Sequence, residues 1–166
     1  MSAQIIHRDL PFTSKGEQDT LDFLKLLPDG YFVVRECKVN PSTYKRTGGS
    51  LQDCPDFVVV GPEIGVVVLE VKDWNVQTNR FDFINQSEVR KTDRYGYITP
   101  LTNPYSQAER YLHAVSDVLG SPQVGNRLWV SSFVVFPRLT RSEFENRCEG
   151  IRTDTGQQRF SFDPRK

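Results

Sequence analysis

The sequence predicts an α/β domain in which helices flank a mixed central sheet. Two runs of β-branched and aromatic residues, 57–60 and 66–69, show no polar alternation, so strands formed from them must be covered on both faces. Before and after this pair, apolar residues recur at helical spacing over about 15–27 and 104–119. Strands buried between flanking helices are the layers of an α/β domain.

The first helix is predicted by its start and stop signals. Ser14 and Glu17 have the spacing of a capping box, in which the two side chains satisfy backbone N–H groups of the first turn. Three leucines then follow at helical spacing until Pro28-Asp29-Gly30 interrupts the pattern. We therefore predict a helix near 15–27, and then a strand at 31–34, where aromatic and β-branched residues are concentrated.

The two apolar runs and the Gly-bounded connector between them predict a β-hairpin. If its turn is centred on Glu63, paired residues have numbers that sum to 126, and Asp56 lies opposite Glu70. Opposed residues of an antiparallel pair have Cβ atoms about 4.5–5.5 Å apart. Because strand side chains alternate, Glu70 and Lys72 project on one face. The hairpin thus gathers two carboxylates and an ammonium group at one end.

This charged trio predicts a metal-dependent hydrolase. Two carboxylates crowded at the end of buried strands repel each other unless a cation compensates them. Oxygen ligands without His or Cys favour Mg²⁺ or Mn²⁺, which activate water and polarise a phosphoryl oxygen. Lys72 would orient the attacking water or stabilise charge on the phosphate. The alternative is that Glu-x-Lys ends a surface strand as a weak ion pair.

The remaining elements complete the order helix, strand, strand, strand, helix, strand. Between 73 and 99 we predict at most one strand, at 81–84. An Asn-Pro pair starts the helix at 104–119, and the last strand falls within 128–136, before Pro137. The polar residues 138–166 are predicted to be a peripheral extension of a single domain that spans 1–166, with its core at about 14–136.

The composition excludes several classes of protein. No apolar run approaches the roughly 20 residues that a membrane span needs, and the N-terminus lacks the pattern of a signal peptide. The three cysteines are widely spaced and form no Cys-x-x-Cys pair, which argues against a disulfide framework and a zinc site. These observations predict a cytoplasmic protein with no membrane partner.

The charge balance gives no support for nucleic-acid binding, because 21 basic residues offset 21 acidic ones. Any electropositive surface must be local or be supplied by a fused partner. Two loops are candidates for contacts to nucleic acid, one with Lys45 and Arg46 and the other with Arg90, Lys91 and Arg94. The alternative is that both are ordinary solvated loops.

Pro55-Asp56 and Glu70-Val71-Lys72, within this order of elements, resemble the PD-(D/E)xK nuclease superfamily, which has a restriction-endonuclease-like core. The chain is more narrowly similar to the nuclease-related domain, NERD, over roughly 14–136. Further similar features lie in both helices and in the hairpin: Lys15-Gly16-Glu17, Leu27-Pro28-Asp29-Gly30-Tyr31, Asp56 to Pro62, Gly65 to Trp74, and Asn103-Pro104 with Gln107.

The resemblance implies that Asp56 and Glu70 bind the metal together with the backbone carbonyl of Val71, and that Lys72 is catalytic. It also implies that Glu17, on the first helix, faces the metal. The alternative role of Glu17 is in the capping box, although it shares a helical stripe with leucines and so points inward.

Gln107 and Tyr111 fit the Gln-x-x-x-Tyr pattern of RecB-like nucleases, in which the pair lies beside the catalytic site on one helical face. The alternative is that Tyr111 is a core residue and Gln107 a partly exposed one.

The sequence therefore predicts a Mg²⁺- or Mn²⁺-dependent nuclease domain that hydrolyses DNA phosphodiester bonds in repair or processing. The resemblance implies that it forms the N-terminal part of a longer protein, such as a helicase, or associates with one. The alternative is a catalytically inactive nuclease-fold module that binds nucleic acid or a partner protein.

Overall fold

The computed structural model describes residues 2–6, 11–37, 54–119 and 129–149. Strands and helices follow one another along the described chain in the order β1 (Gln4–Ile6), α1 (Lys15–Leu24), β2 (Phe32–Arg35), β3 (Phe57–Gly61), β4 (Gly65–Val71), β5 (Asn79–Phe83), β6 (Glu88–Asp93), β7 (Ile98–Thr102), α2 (Pro104–Leu119), β8 (Val130–Val135), α3 (Arg141–Arg147) and β9 (Cys148–Glu149).

The central sheet has five strands in the order β1-β2-β3-β4-β8. The pairs β1/β2 and β4/β8 are parallel, whereas β2/β3 and β3/β4 are antiparallel. The predicted mixed sheet with flanking helices is therefore confirmed, and so is the order α1-β2-β3-β4-α2-β8.

The β3–β4 hairpin has the predicted register. Val58 pairs with Val68 and Gly61 with Gly65, which centres the turn on Glu63. Gly65 has a φ of +68°, a conformation that glycine adopts without steric penalty. The sequence pattern therefore predicted both the partner strands and their alignment correctly.

Both faces of the hairpin are buried, as its continuous hydrophobicity predicts. On one face Leu21 and Leu24 of α1 belong to a core with Phe57 and Leu69. On the other face α2 supplies the apolar side chains, and this core consists of Val58, Val66, Val68, Tyr111, Ala114 and Val115. The charged end of the hairpin therefore opens between two helical layers.

A second sheet, in the order β7-β6-β5-β9, packs beside the end of β4. Its core is aromatic: the Trp74 and Phe81 rings stack with centroids 4.1 Å apart, and Phe136 and Phe144 contact each other at 4.9 Å. Phe144 thus anchors part of the segment predicted to be peripheral.

The prediction for 73–99 was incomplete, since three strands occupy this stretch instead of at most one. The strand predicted at 81–84 is β5, and β6 places Arg90 and Lys91 on a strand, where a loop was expected. Strand β6 escapes a hydrophobicity search because Val89 is its one buried residue. Pairing with β5 and β7, which the local sequence does not encode, stabilises it.

The helix bounds agree less well at the first helix than at the second. Helix α2 begins at Pro104 and ends at Leu119, as predicted. Helix α1 ends at Leu24, three residues early, because the chain then tightens: the N–H groups of Leu26 and Leu27 donate to the carbonyls three residues before them, as in a 3₁₀ turn. Within the described residues no helix is both long and apolar enough to cross a membrane.

Candidate active site

The charged trio lies at the open end of the β3–β4 hairpin. The register of the hairpin, continued by one pair, sets Asp56 opposite Glu70. Glu70 is 3% exposed and lies at the end of β4 away from the turn, on the face that α2 covers. Lys72 follows β4 directly, and its N–H donates to the carbonyl of Val135 on β8. Each residue is therefore positioned by strand pairing and not by a loop.

Asp56 is held from two sides. The N–H of Val71 donates to its carboxylate at 2.6 Å, and its own carbonyl accepts from the N–H of Glu36 at 3.0 Å. Burial and the negative charge of Glu70 raise the pKa of Asp56 to about 7, although the bond from Val71 and the charge of Lys72 oppose the shift. Two carboxyl groups therefore lie close together in one poorly solvated site.

Lys72 links the acids to helix α2. Its ammonium group donates to Glu70 Oε1 at 2.6 Å and to Gln107 Oε1 at 3.2 Å. Gln107 in turn donates from Nε2 to the hydroxyl of Tyr111 at 2.9 Å. Four residues predicted from the sequence thus form one chain of hydrogen bonds.

Gln107 and Tyr111 were predicted either to lie beside the site or to be a partly exposed residue and a core residue. The structure agrees in part with each description. Tyr111 is a core residue at 2% exposure, and Gln107 is partly buried. Their spacing nevertheless places the tyrosine hydroxyl where it orients the amide of Gln107, whose oxygen then faces Lys72. A core tyrosine therefore positions a residue of the site.

Glu17 is buried beside the site and has the capping contacts expected of it. The N–H and hydroxyl of Thr13 and the hydroxyl of Ser14 donate to its carboxylate, while its own N–H donates to Ser14. Arg35 lies 3.7 Å from the same carboxylate. The charge of Glu17 also contributes to the raised pKa of Asp56, so it lies within electrostatic range of the site.

Arg35 was not predicted from the sequence to lie near the site. Its side chain is buried, donates to the carbonyl of Pro11 at 2.8 Å, and stacks over the ring of Phe12 at 4.0 Å. Strand alternation could have identified it, because Arg35 shares the inner face of β2 with Val33. A buried guanidinium beside Glu17 keeps the local charge balanced.

Asp73 was also missed, and it ties α1 to the end of β4. Its carboxylate accepts from the N–H of Gly16 in the first turn of α1 at 3.2 Å and lies 3.4 Å from Arg138. A Cβ at Gly16 would approach Asp73 and Pro137 to 3.0 Å, so the absence of a side chain permits this close packing. The residue after Lys72 thereby fixes the helix that carries Glu17.

The donor set fits a hard divalent cation. Asp56 and Glu70 offer carboxylate oxygens, and Val71, between Glu70 and Lys72, offers a main-chain carbonyl. Among the described residues, no group of three or more His, Cys, Asp or Glu side chains is arranged to hold a metal ion. A site with few protein ligands suits Mg²⁺, which keeps several waters.

Of the basic residues predicted to contact nucleic acid, the structure describes Arg90, Lys91 and Arg94. Lys45 and Arg46 lie outside the described residues. Arg90 and Lys91 project to opposite faces of β6, and Arg90 lies 4.0 Å from Glu88. Arg94 lies in the turn after β6, with its guanidinium 4.8 Å from the ring centroid of Tyr95.

Comparison with known proteins agrees with this geometry. No curated protein and no solved structure matches the chain. The model of the nuclease-related domain matches residues 13–137, a span that includes α1, the hairpin, strands β5 to β7 of the second sheet, α2 and β8. This match covers most of the chain, and the chain therefore belongs to the nuclease-related domain (NERD) family.

Proposed function

We propose that this domain is an active nuclease that hydrolyses phosphodiester bonds of DNA with Mg²⁺ or Mn²⁺. The observation that carries the proposal is the meeting of Asp56 and Glu70 beside an ammonium group that α2 holds in place. Membership of a nuclease-related family supports the same activity.

Asp56, Glu70 and the carbonyl of Val71 would bind the ion. Burial, together with the charge of Glu70, raises the pKa of Asp56, and a bound cation would offset both effects. When bound there, a divalent ion supplies a Lewis acid and lowers the pKa of a coordinated water. Lys72 would point its ammonium group at the phosphate or the attacking water, where it stabilises negative charge or orients the water, and Gln107 keeps that ammonium group directed into the site. Tyr111 acts through Gln107 as a positioning residue.

Glu17 contributes to the site by its charge and by its contacts to Thr13 and Arg35. We propose that it adjusts the protonation of Asp56 from outside the immediate ligand set. This assignment differs from the direct ligation that resemblance to other nucleases implies, and the two roles are separable by experiment.

Cleavage of supercoiled plasmid and of labelled single-stranded DNA, with Mg²⁺, Mn²⁺ or EDTA, tests the activity. We expect metal-dependent products from the wild type and at least about 100-fold slower cleavage by Glu70→Gln and Lys72→Ala. Glu63→Gln, in the exposed turn of the same hairpin, is the matched control and should cleave normally. Equal cleavage by wild type and Glu70→Gln refutes the activity.

The alternative, an inactive module of nuclease fold, would bind nucleic acid or a protein without cleaving. All the acids and the lysine are present, which favours the active form. We also propose a setting in DNA repair or processing with a fused or associated helicase, because a chain of zero net charge gains DNA affinity from such a neighbour.

A further inference from the structure

The turn between β6 and β7, residues 93–98, is closed by hydrogen bonds, and we call it the tyrosine turn. The carboxylate of Asp93 accepts from the N–H of Tyr95 at 2.8 Å and of Tyr97 at 2.9 Å. The N–H of Asp93 donates to the carbonyl of Tyr97, and Gly96 closes the turn at a φ of +86°. These bonds involve the backbone and Asp93, so the tyrosine side chains are not needed to form the turn.

The side chains of the tyrosine turn are unusually exposed. Tyr95 is 70% exposed, Tyr97 73% and Ile98 60%. Single exposed apolar residues are common on protein surfaces, whereas a group of adjacent exposed apolar residues marks a surface that binds a ligand or a partner. Folding of the chain does not account for two aromatic rings held in water on a fixed backbone.

The charges around the tyrosine turn select a polyanion as the occupant. Arg94 stacks over Tyr95, and Lys91 lies on β6 two residues before Asp93. The nearby carboxylate of Asp93 is engaged by two backbone N–H groups. Aromatic rings beside cations bind single-stranded nucleic acid, because the rings stack on unpaired bases and the cations contact phosphates.

Strand β6 connects the tyrosine turn to the part of the second sheet that lies beside the start of α2. Trp74, two residues after Lys72, stacks on Phe81 of the second sheet. The N–H of Asn103, next to the start of α2, donates to the carbonyl of Ser87 at the start of β6. The six residues of β6 then extend about 20 Å to the turn.

We propose that Tyr95 and Tyr97 form a platform on which unpaired bases of a single-stranded nucleic acid stack, and that Arg94 contacts its phosphates. This inference rests on the proposed nuclease function and names the substrate class of that site: strands that are single or already unwound. Fully paired duplex, whose bases stack on one another, would gain nothing from the platform.

Fluorescence anisotropy in EDTA measures binding apart from cleavage, with labelled dT20, U20 and a 20-base-pair duplex as probes. We expect Tyr95→Ala/Tyr97→Ala to raise the Kd for the single strands at least about tenfold and to leave the duplex unaffected. Tyr95→Phe/Tyr97→Phe should retain wild-type Kd, because phenylalanine stacks as tyrosine does. Trp129→Ala removes an exposed ring next to Gly65, at the other end of β4, and is the matched control.

Unchanged binding by the double alanine variant overturns the proposal, as does a wild type that binds neither single strand. Equal losses in the phenylalanine and alanine variants overturn stacking as the cause. Sedimentation velocity tests whether the turn is instead a protein interface. If the wild type self-associates, the double alanine variant does not, and both bind the oligonucleotides equally well, the proposal is also overturned. The arms dT20 and U20 distinguish DNA from RNA. Failure of the nuclease itself is separate, because it removes metal-dependent cleavage while these Kd values stand.

Discussion

The main-chain N–H of Val71 donates a hydrogen bond to the carboxylate of Asp56 at 2.6 Å, across the open end of the hairpin. This bond favours the ionised carboxylate, whereas burial and the charge of Glu70 favour the protonated one. The second pair of effects prevails, since the pKa of Asp56 rises to about 7. A divalent cation would remove the conflict by binding both carboxylates in their ionised form.

Stability should therefore depend on pH in a direction that is unusual for an aspartate. The pKa of Asp56 rises from 3.8 in the unfolded chain to about 7, so the folded state binds the extra proton between these values. Stability then falls as pH rises through this window, because the unfolded state releases its proton first. Thermal denaturation in EDTA should give a Tm at least about 3 °C lower at pH 8 than at pH 5 from this group.

Asp56→Asn isolates that contribution. Asparagine keeps an oxygen to accept from Val71 and carries no charge, so we expect a higher Tm than wild type at pH 8 in EDTA. Addition of Mg²⁺ should raise the Tm of the wild type and leave the variant unchanged. A variant less stable than wild type at pH 8 contradicts the raised pKa.

Gln107→Leu should lower the cleavage rate about tenfold and leave the fold intact, because it removes an acceptor of Lys72 from a partly buried position. Tyr111→Phe keeps the core ring and removes only the hydroxyl that accepts from Gln107, so we expect a loss of about 1 kcal/mol in stability and a smaller loss of rate. Single-turnover kinetics with a labelled oligonucleotide measure the cleavage rates of both variants. A Tyr111→Phe rate lower than that of Gln107→Leu would contradict a role through Gln107.

Much of the site could be predicted because it depends on strand register. Once the turn was centred on Glu63, alternation alone placed Glu70 and Lys72 on one face, and the Gln107–Tyr111 spacing placed both on one side of α2. These relations are local periodicities, and they survive folding unchanged.

Features that depend on contacts between distant segments could not be predicted. Asp73 accepts from Gly16 across 57 positions of sequence, and nothing near either residue signals the partner. Strand β1 has three residues and is defined by its parallel pairing with β2. The exposed rings of Tyr95 and Tyr97 likewise follow from the turn that Asp93 organises.

Glu17→Gln separates the two roles weighed for this residue. Because its carboxylate is occupied by Thr13 and lies near buried Arg35, we expect a loss of about 2 kcal/mol in stability and less than a threefold change in affinity for Mn²⁺. Urea denaturation and isothermal titration check the two parts. Loss of Mn²⁺ binding at unchanged stability would instead make Glu17 a direct ligand.

Two glycines with positive φ provide a matched test of the hairpin. A Cβ at Gly65 would lie 2.3 Å from the carbonyl oxygen of Trp129, whereas one at Gly96 meets nothing within 4 Å. We expect Gly65→Ala to lower the free energy of unfolding by about 3 kcal/mol and Gly96→Ala by about 1 kcal/mol, the latter from backbone strain alone. Similar losses in urea denaturation would mean that the close approach of β4 to β8 is not rigid.

The measurement that tests the central claim most directly is Mn²⁺ binding to the purified domain, followed by electron paramagnetic resonance of free Mn²⁺ at pH 8. We predict one bound ion per chain in the wild type and in Glu63→Gln, and none at the same concentrations in Glu70→Gln, because Asp56 alone supplies a single carboxylate. Equal binding by wild type and Glu70→Gln, or no binding by either, would contradict a metal site shared by Asp56 and Glu70.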